Sequence, residues 1–335
     1  MRADAFSRAV IESLVSRSIR KIAEDPERGL RNLVDMGVDT ATGRFQKHYM
    51  KIVQGVLQDE NCPYYELVCR LTRETSNRNL TTFGVNVGWQ SWTVGARQIR
   101  AYEARHGVDV PWSLTLHMEG GAEGVDWAGL VRAGQEMGVC TYFLHVGEDR
   151  AAMEQAAALA ESAPLCAFLL FAGPEAVRQA IGQLSGLDNV MTVLDAAGGG
   201  WREAAWQLRE ERRLYGFWRR CETDESAGEA ESWLDELQHE GGPVVFLITG
   251  PACTEAGRGQ ILHLTRSAWE RQRYPLLVFD YYDDILLVDG IISQGPCFAA
   301  VLPDGQPAIY RDGRERTAEG ESEQPVFMRE LQHTI

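Results

Sequence analysis

Four polar side chains close apolar runs of strand length: His117, His145, Asp195 and Asp280. If those runs are parallel strands of one barrel, the four meet at its C-terminal face, where barrel folds carry their chemistry. Two imidazoles and two carboxylates converging there would suit acid/base work or a divalent metal; scattered, they are ordinary rim residues. A second candidate is Asp195-Ala196-Ala197-Gly198-Gly199-Gly200, which follows one run and opens a helical pattern. Backbone N–H groups at such a turn attract anions or nucleotides. It lacks both GxGxxG and a P-loop lysine, and no lysine follows Lys51, so a plain βα turn is the competing reading. Nucleophilic catalysis has no local signature, because GxSxG is absent and no cysteine stands beside a recognisable base.

The elements that must position these groups begin at Pro111. Apolar runs at 111–117, 139–145, 165–171, 190–194, 214–218 and 243–248 alternate with helical patterns near 125–137, 149–161, 174–185, 200–211 and 229–240. Strands apolar along their whole length, separated by helices, predict a parallel sheet covered on both faces. Six such units predict a partial or full (β/α) barrel. After it come a helix near 260–272, a strand at 276–280, and runs at 297–302 and 307–310 flanking Pro303-Asp304-Gly305-Gln306, a hairpin signal. Residues 312–324 are charged and read as mobile, with a last short helix at 325–332.

Residues 1–110 read as helical. Ala9 to Ile19, Leu30 to Val34 and Ile52 to Leu57 repeat apolar positions at three-to-four spacing. Ser76-Asn77 is a capping signal, and Gly84 and Gly88 would permit tight packing. Trp89, Trp92, Tyr102 and Trp112 read as core between this front and the barrel.

The chain has 335 residues and a formal charge of -15, which is concentrated after residue 110. Residues 1–110 hold 16 basic and 13 acidic groups, the remainder 17 and 35. No Lys/Arg block could track phosphates, so nucleic acid is excluded as an expected partner. The acidic run Glu222 to Glu240 reads as a solvated face with an apolar stripe at Trp233-Leu234; its functional alternative is a docking surface for a basic partner. No run of about 18 apolar residues and no signal-like N-terminus occurs, which predicts a cytoplasmic protein without a membrane partner. The seven cysteines lie singly, without CxxC spacing, and read as reduced and mostly buried; Cys62 and Cys69 would share a helix face.

Several segments in order resemble the radical-SAM enzymes, in the group with a helical front and a C-terminal SPASM region. Asn86 to Trp112, with Val87-Gly88-Trp89-Gln90-Ser91-Trp92 inside it, resembles the lead-in to that family's first barrel strand. Gln135 to Asp149 resembles its helix and second strand, ending at the Gly-Gly-Glu-Pro turn. Phe279 to Gly290, Gly295, Pro303-Asp304-Gly305 and Pro325 to Met328 echo its auxiliary-cluster region. The resemblance implies a radical-SAM-type barrel over 111–275, a helical extension over 1–110 and a SPASM-like remnant with a β-hairpin over 276–335.

The same resemblance locates what is missing. The turn Met118-Glu119-Gly120-Gly121-Ala122-Glu123-Gly124 stands where the family holds three cluster cysteines, and it contains none. Iron of this kind is bound by cysteine thiolates. A 4Fe-4S cluster is therefore not expected, nor is an auxiliary one, because Gly290-Ile291-Ile292 and Ala308-Ile309-Tyr310 replace cysteine positions. Gly147 and Glu148 survive from the turn that contacts SAM, without its proline and second glycine. The ligand-binding candidates are thus His117, His145, Gly147, Glu148, Asp195, Gly198, Gly199 and Asp280, with no catalytic or metal residue and no resident cofactor assigned. The leading expectation is a pseudoenzyme serving as a binding or regulatory subunit, with a radical-SAM paralogue as partner. Two alternatives stand beside it: an enzyme using His117, His145, Glu148, Asp195 and Asp280 in cluster-independent chemistry, and a SAM- or nucleotide-binding protein without catalysis.

Overall fold

The computed structural model describes residues 2–40, 44–120, 124–293, 295, 297–311 and 313–318. Its front is helical: α1 (Arg2–Glu24), α2 (Pro26–Thr40), α3 (Arg44–Val56), α4 (Pro63–Glu74), α5 (Asn77–Val85), a π-helix (Asn86–Gly95) and α6 (Ala96–His106). Ser76 caps α5 as its sequence predicts, accepting from the Asn79 amide. Cys62 departs from expectation, standing just before α4 as its N-cap residue while Cys69 lies within the helix.

Strand and helix then alternate through β1 (Ser113–His117), α7 (Trp127–Met137), β2 (Thr141–Gly147), α8 (Arg150–Ser162), β3 (Ala167–Ala172), α9 (Pro174–Leu184), β4 (Val190–Asp195), α10 (Trp201–Glu210) and β5 (Tyr215–Cys221). The predicted helix at 229–240 is α12 (Ala230–Leu237), and a short helix that was not predicted, α11 (Asp224–Gly228), precedes it. Thr223 caps α11 with a capping box. The alternation ends with β6 (Val244–Thr249), α13 (Glu255–Glu270), β7 (Leu277–Asp280) and α14 (Tyr281–Ile292).

One ten-stranded sheet results, in the order β10-β9-β8-β1-β2-β3-β4-β5-β6-β7. Strands β1 to β7 run parallel, and β8 (Ala300–Val301) joins β1 in parallel. The predicted hairpin follows: β9 (Pro307–Arg311) returns antiparallel to β8, with Gly305 in the left-handed region at φ 78°. Residues 312–324 do not behave throughout as predicted, because Arg314–Thr317 forms β10 against β9. The predicted helix at 325–332 lies outside the described residues.

The sheet curls. Strands β2 and β6 are four places apart, which in a flat sheet would separate them by about 19 Å. Yet the rings of Phe143 and Phe246 lie 6.3 Å apart, and Phe171 of β3 reaches Phe246 at 5.3 Å. Tyr281 touches the same cluster, 5.5 Å from both Phe143 and Phe171. The sheet is a half-barrel whose lumen is packed with aromatic rings.

The front is fastened to the barrel by buried amides. Asn79 donates to the carbonyls of Asp188 and Val190 at 2.8 and 3.2 Å and accepts from the Leu214 amide at 2.7 Å. Asn86 donates to the Cys166 carbonyl at 2.7 Å and accepts from Arg8 at 2.6 Å. Close packing falls to Gly95 and Gly138: a Cβ on Gly138, which has φ 107°, would lie 2.6 Å from the Gly95 carbonyl oxygen. Gly84 and Gly88 do not serve this purpose, because a Cβ on either would meet nothing within 4 Å. Trp112 is buried, with its Nε1 donating to the Ile285 carbonyl, whereas Trp89, Trp92 and Tyr102 are half-buried.

A site at the barrel mouth

Parallel pairing sets His117 of β1 opposite His145 of β2, and their rings stack with centroids 4.8 Å apart. His145 is buried against Phe171 at 4.5 Å and Trp218 at 6.3 Å. Its Nε2 shares a 2.9 Å hydrogen bond with the Tyr281 hydroxyl, which in turn lies 3.1 Å from the Thr115 hydroxyl. Burial holds the His145 pKa well below the ordinary histidine range, and the nearby His117 and Arg220 reinforce that direction. A neutral imidazole is thus locked between aromatic faces and a tyrosine.

His117 is held from the other side of the chain. Its Nε2 lies 2.7 Å from the Glu315 Oε2 on β10, and Tyr282 donates to the Glu315 Oε1 at 3.1 Å. Tyr282 also stacks on Tyr310 of β9, with centroids 4.0 Å apart. Burial, reinforced by Glu315, pushes the Tyr282 hydroxyl pKa up. The hairpin β9–β10 therefore closes over the mouth, with one carboxylate joining β1 to the first turn of α14.

The other predicted residues are bonded elsewhere. Glu148 accepts from the Ala176 amide at 2.8 Å and, more weakly, the Glu175 amide at 3.4 Å, so its carboxylate serves the exposed amides at the start of α9. The Gly147 carbonyl accepts from the Gly173 amide at 2.7 Å, and Gly147 itself takes φ 54°. Asp195 accepts from the Ala197 amide at 2.9 Å; burial raises its pKa, with Glu148 adding to the rise. Gly198 and Gly199 are exposed, and neither would bring a Cβ within 4 Å of another group. Asp280 caps α14 through the Asp283 amide, and burial beside Asp283 pushes its pKa up to about 7.

The structure thus joins His117 and His145. Among the described residues, no hydrogen bond links Glu148, Asp195 or Asp280 to either imidazole, and no group of three or more His, Cys, Asp or Glu is placed to hold a metal. Four contributors escaped the sequence reading. Tyr281 and Tyr282 follow the Asp280 that ends β7, Glu315 lies in the segment read as mobile, and Arg220 stands two residues after Trp218. That spacing gives Arg220 the face of Trp218, whose ring meets His145. Arg220 is exposed, 3.7 Å from Glu222.

The turn 118–124 offers no thiolate, and the polar atoms of Gly147 and Glu148 named above bind the start of α9. All seven cysteines are free, five of them buried and Cys69 and Cys297 half-buried. In the acidic run from Glu222, Glu225, Glu229, Glu231, Asp235 and Glu236 are exposed, while Trp233 and Leu234 form the buried apolar stripe.

Fold and site together define an α/β protein whose curled ten-stranded sheet forms a half-barrel, preceded by a helical region and covered at its mouth by its own C-terminal hairpin. No family model matches the chain, and no match was found among curated proteins. Among the described residues, no helix is long and apolar enough to cross a membrane.

Proposed function

We propose that this chain is a non-catalytic relative of the radical-SAM enzymes, its residues 111–275 a barrel of their type and 276–335 a SPASM-like remnant. It works as a binding or regulatory subunit in the cytoplasm, with an active radical-SAM homologue as its partner. One observation carries the reading: the strand-end groups available for chemistry are engaged in the protein's own structure. His117 is bound to Glu315, His145 to Tyr281, Glu148 to the start of α9, Asp195 to Ala197 and Asp280 to Asp283. A scaffold outlasting its chemistry is physically reasonable, because packing and site residues are largely separate constraints. The thiol-free turn at 118–124 supports the same conclusion, since a sulfonium cannot be reductively cleaved there without a cluster.

Anaerobic reconstitution with iron and sulfide tests this, read by absorbance, EPR and the products formed with SAM under dithionite. The expected result is no stoichiometric cluster and no 5′-deoxyadenosine. A 4Fe-4S signal near one per chain, or turnover to 5′-deoxyadenosine and methionine, would overturn the proposal.

A further inference from the structure

Far from the strand ends that form the mouth, two free thiols face each other at the starts of β2 and β3. Cys140 and Cys166 each stand one residue before the paired Thr141 and Ala167, and the Ala167 amide donates to the Cys140 carbonyl at 2.9 Å. Neighbouring strands hold facing Cα atoms about 5 Å apart, inside the range of roughly 4.4–6.8 Å that a disulfide spans. The Cys166 thiol hydrogen-bonds to the Cys140 sulfur. Two side-chain amides converge on the same pair: Gln90 of the π-helix donates from Nε2 to the Cys140 Sγ at 4.0 Å, and Gln135 of α7 to the Cys166 Sγ at 3.1 Å. Behind Gln90 stands Arg8, which donates to its Oε1 at 3.4 Å. A neutral thiol is a weak acceptor, so donors gathered in this way serve a sulfur that carries charge.

We propose that Cys140 and Cys166 are an oxidisable pair, a site at which a small peroxide closes a disulfide between β2 and β3. The thiol of Cys166, the Gln90 amide and the Arg8 guanidinium hold the Cys140 pKa below the ordinary thiol value, whereas the same pairing and burial raise that of Cys166. Burial pushes Cys62, Cys221, Cys253 and Cys297 upward, which leaves Cys140 the favoured nucleophile among them. Cys140 and Cys166 are themselves buried, but Gln90 and Gln135 are half-buried, so each sulfur lies one side chain from solvent. Hydrogen peroxide is small enough to enter beside them. The Cys140 thiolate attacks one peroxide oxygen; the S–O bond forms as O–O breaks, leaving a sulfenic acid and hydroxide. Cys166 then attacks the Cys140 sulfur; S–S forms, S–O breaks, and the Cys166 proton leaves with the hydroxyl as water. The two sulfurs together give up one electron pair, and the peroxide takes it. Neither sulfur has a part in the function proposed above, so the outcome bears on this site alone.

Treatment of the folded full chain with equimolar hydrogen peroxide, followed by alkylation, digestion and mass spectrometry, tests the site. The expected product is a cross-linked peptide pair joining Cys140 to Cys166, formed before oxidation at any other cysteine and lost on addition of dithiothreitol. Cys166→Ser should stop at a sulfenic acid on Cys140 that dimedone traps, and Cys140→Ser should leave Cys166 unoxidised. Earlier reaction at another cysteine, a pair that stays reduced, or a cross-link that appears only after denaturation would overturn the proposal. Because that mapping uses the unaltered chain, it decides the matter even if a serine variant fails to fold.

Discussion

Asp280→Asn should stabilise the protein at neutral pH and leave it unchanged in acid. Asp280 is 2 % exposed, and its carboxyl caps α14 beside Asp283 and Asp284. Burial raises its pKa from 3.8 to about 7, so the folded chain holds this proton over a range where the unfolded chain has released it. Stability contributed by the protonated group is complete below pH 3.8 and is lost as pH rises through about 7. Each pKa unit corresponds to about 1.4 kcal/mol, which sets an upper bound of about 4 kcal/mol on the cost of ionisation. Asparagine caps helices as well as aspartate does and carries no charge. Urea unfolding from pH 4 to 8.5 should therefore show a variant gain near zero at pH 4, growing to about 2–4 kcal/mol above pH 7. A difference that does not change with pH, or a variant less stable than the parent at pH 8, would refute the reasoning.

Two further substitutions test local claims. Gly182→Ala lies in α9, exposed, with nothing within 4 Å of the added Cβ; it should add about 0.5–1 kcal/mol in chemical unfolding, the helix preference of alanine over glycine. Glu148→Ala should cost about 1 kcal/mol by releasing the amides at the start of α9, a loss that thermal unfolding would register.

The parallel strands were legible because both faces of each are covered, which writes them as continuous apolar runs such as Phe168 to Phe171. Gly305 made the hairpin legible for a similar local reason, since its turn requires a left-handed residue. Strand β10 was not legible. Arg314-Glu315-Arg316-Thr317 has no apolar periodicity, and it is a strand because β9 pairs with it. Glu315 gains its importance only when the sheet curls and carries it to His117 and Tyr282. Long-range closure of this kind leaves no mark in local sequence. Gly84 and Gly88 were misleading for the opposite reason: small residues signal either close approach or empty space, and only the surrounding helices decide which. Arg220 could have been found, because strand alternation puts it on the face of Trp218.

The closure of the mouth is tested most directly by a double-mutant cycle on His117 and Glu315. Both side chains are largely buried, 13 % and 14 % exposed, and 2.7 Å apart. His117→Ala, Glu315→Ala and the double variant, compared by urea unfolding, should give a coupling of about 1–2 kcal/mol. A coupling indistinguishable from zero would mean that the hairpin does not hold the mouth closed through this contact, and would contradict the account.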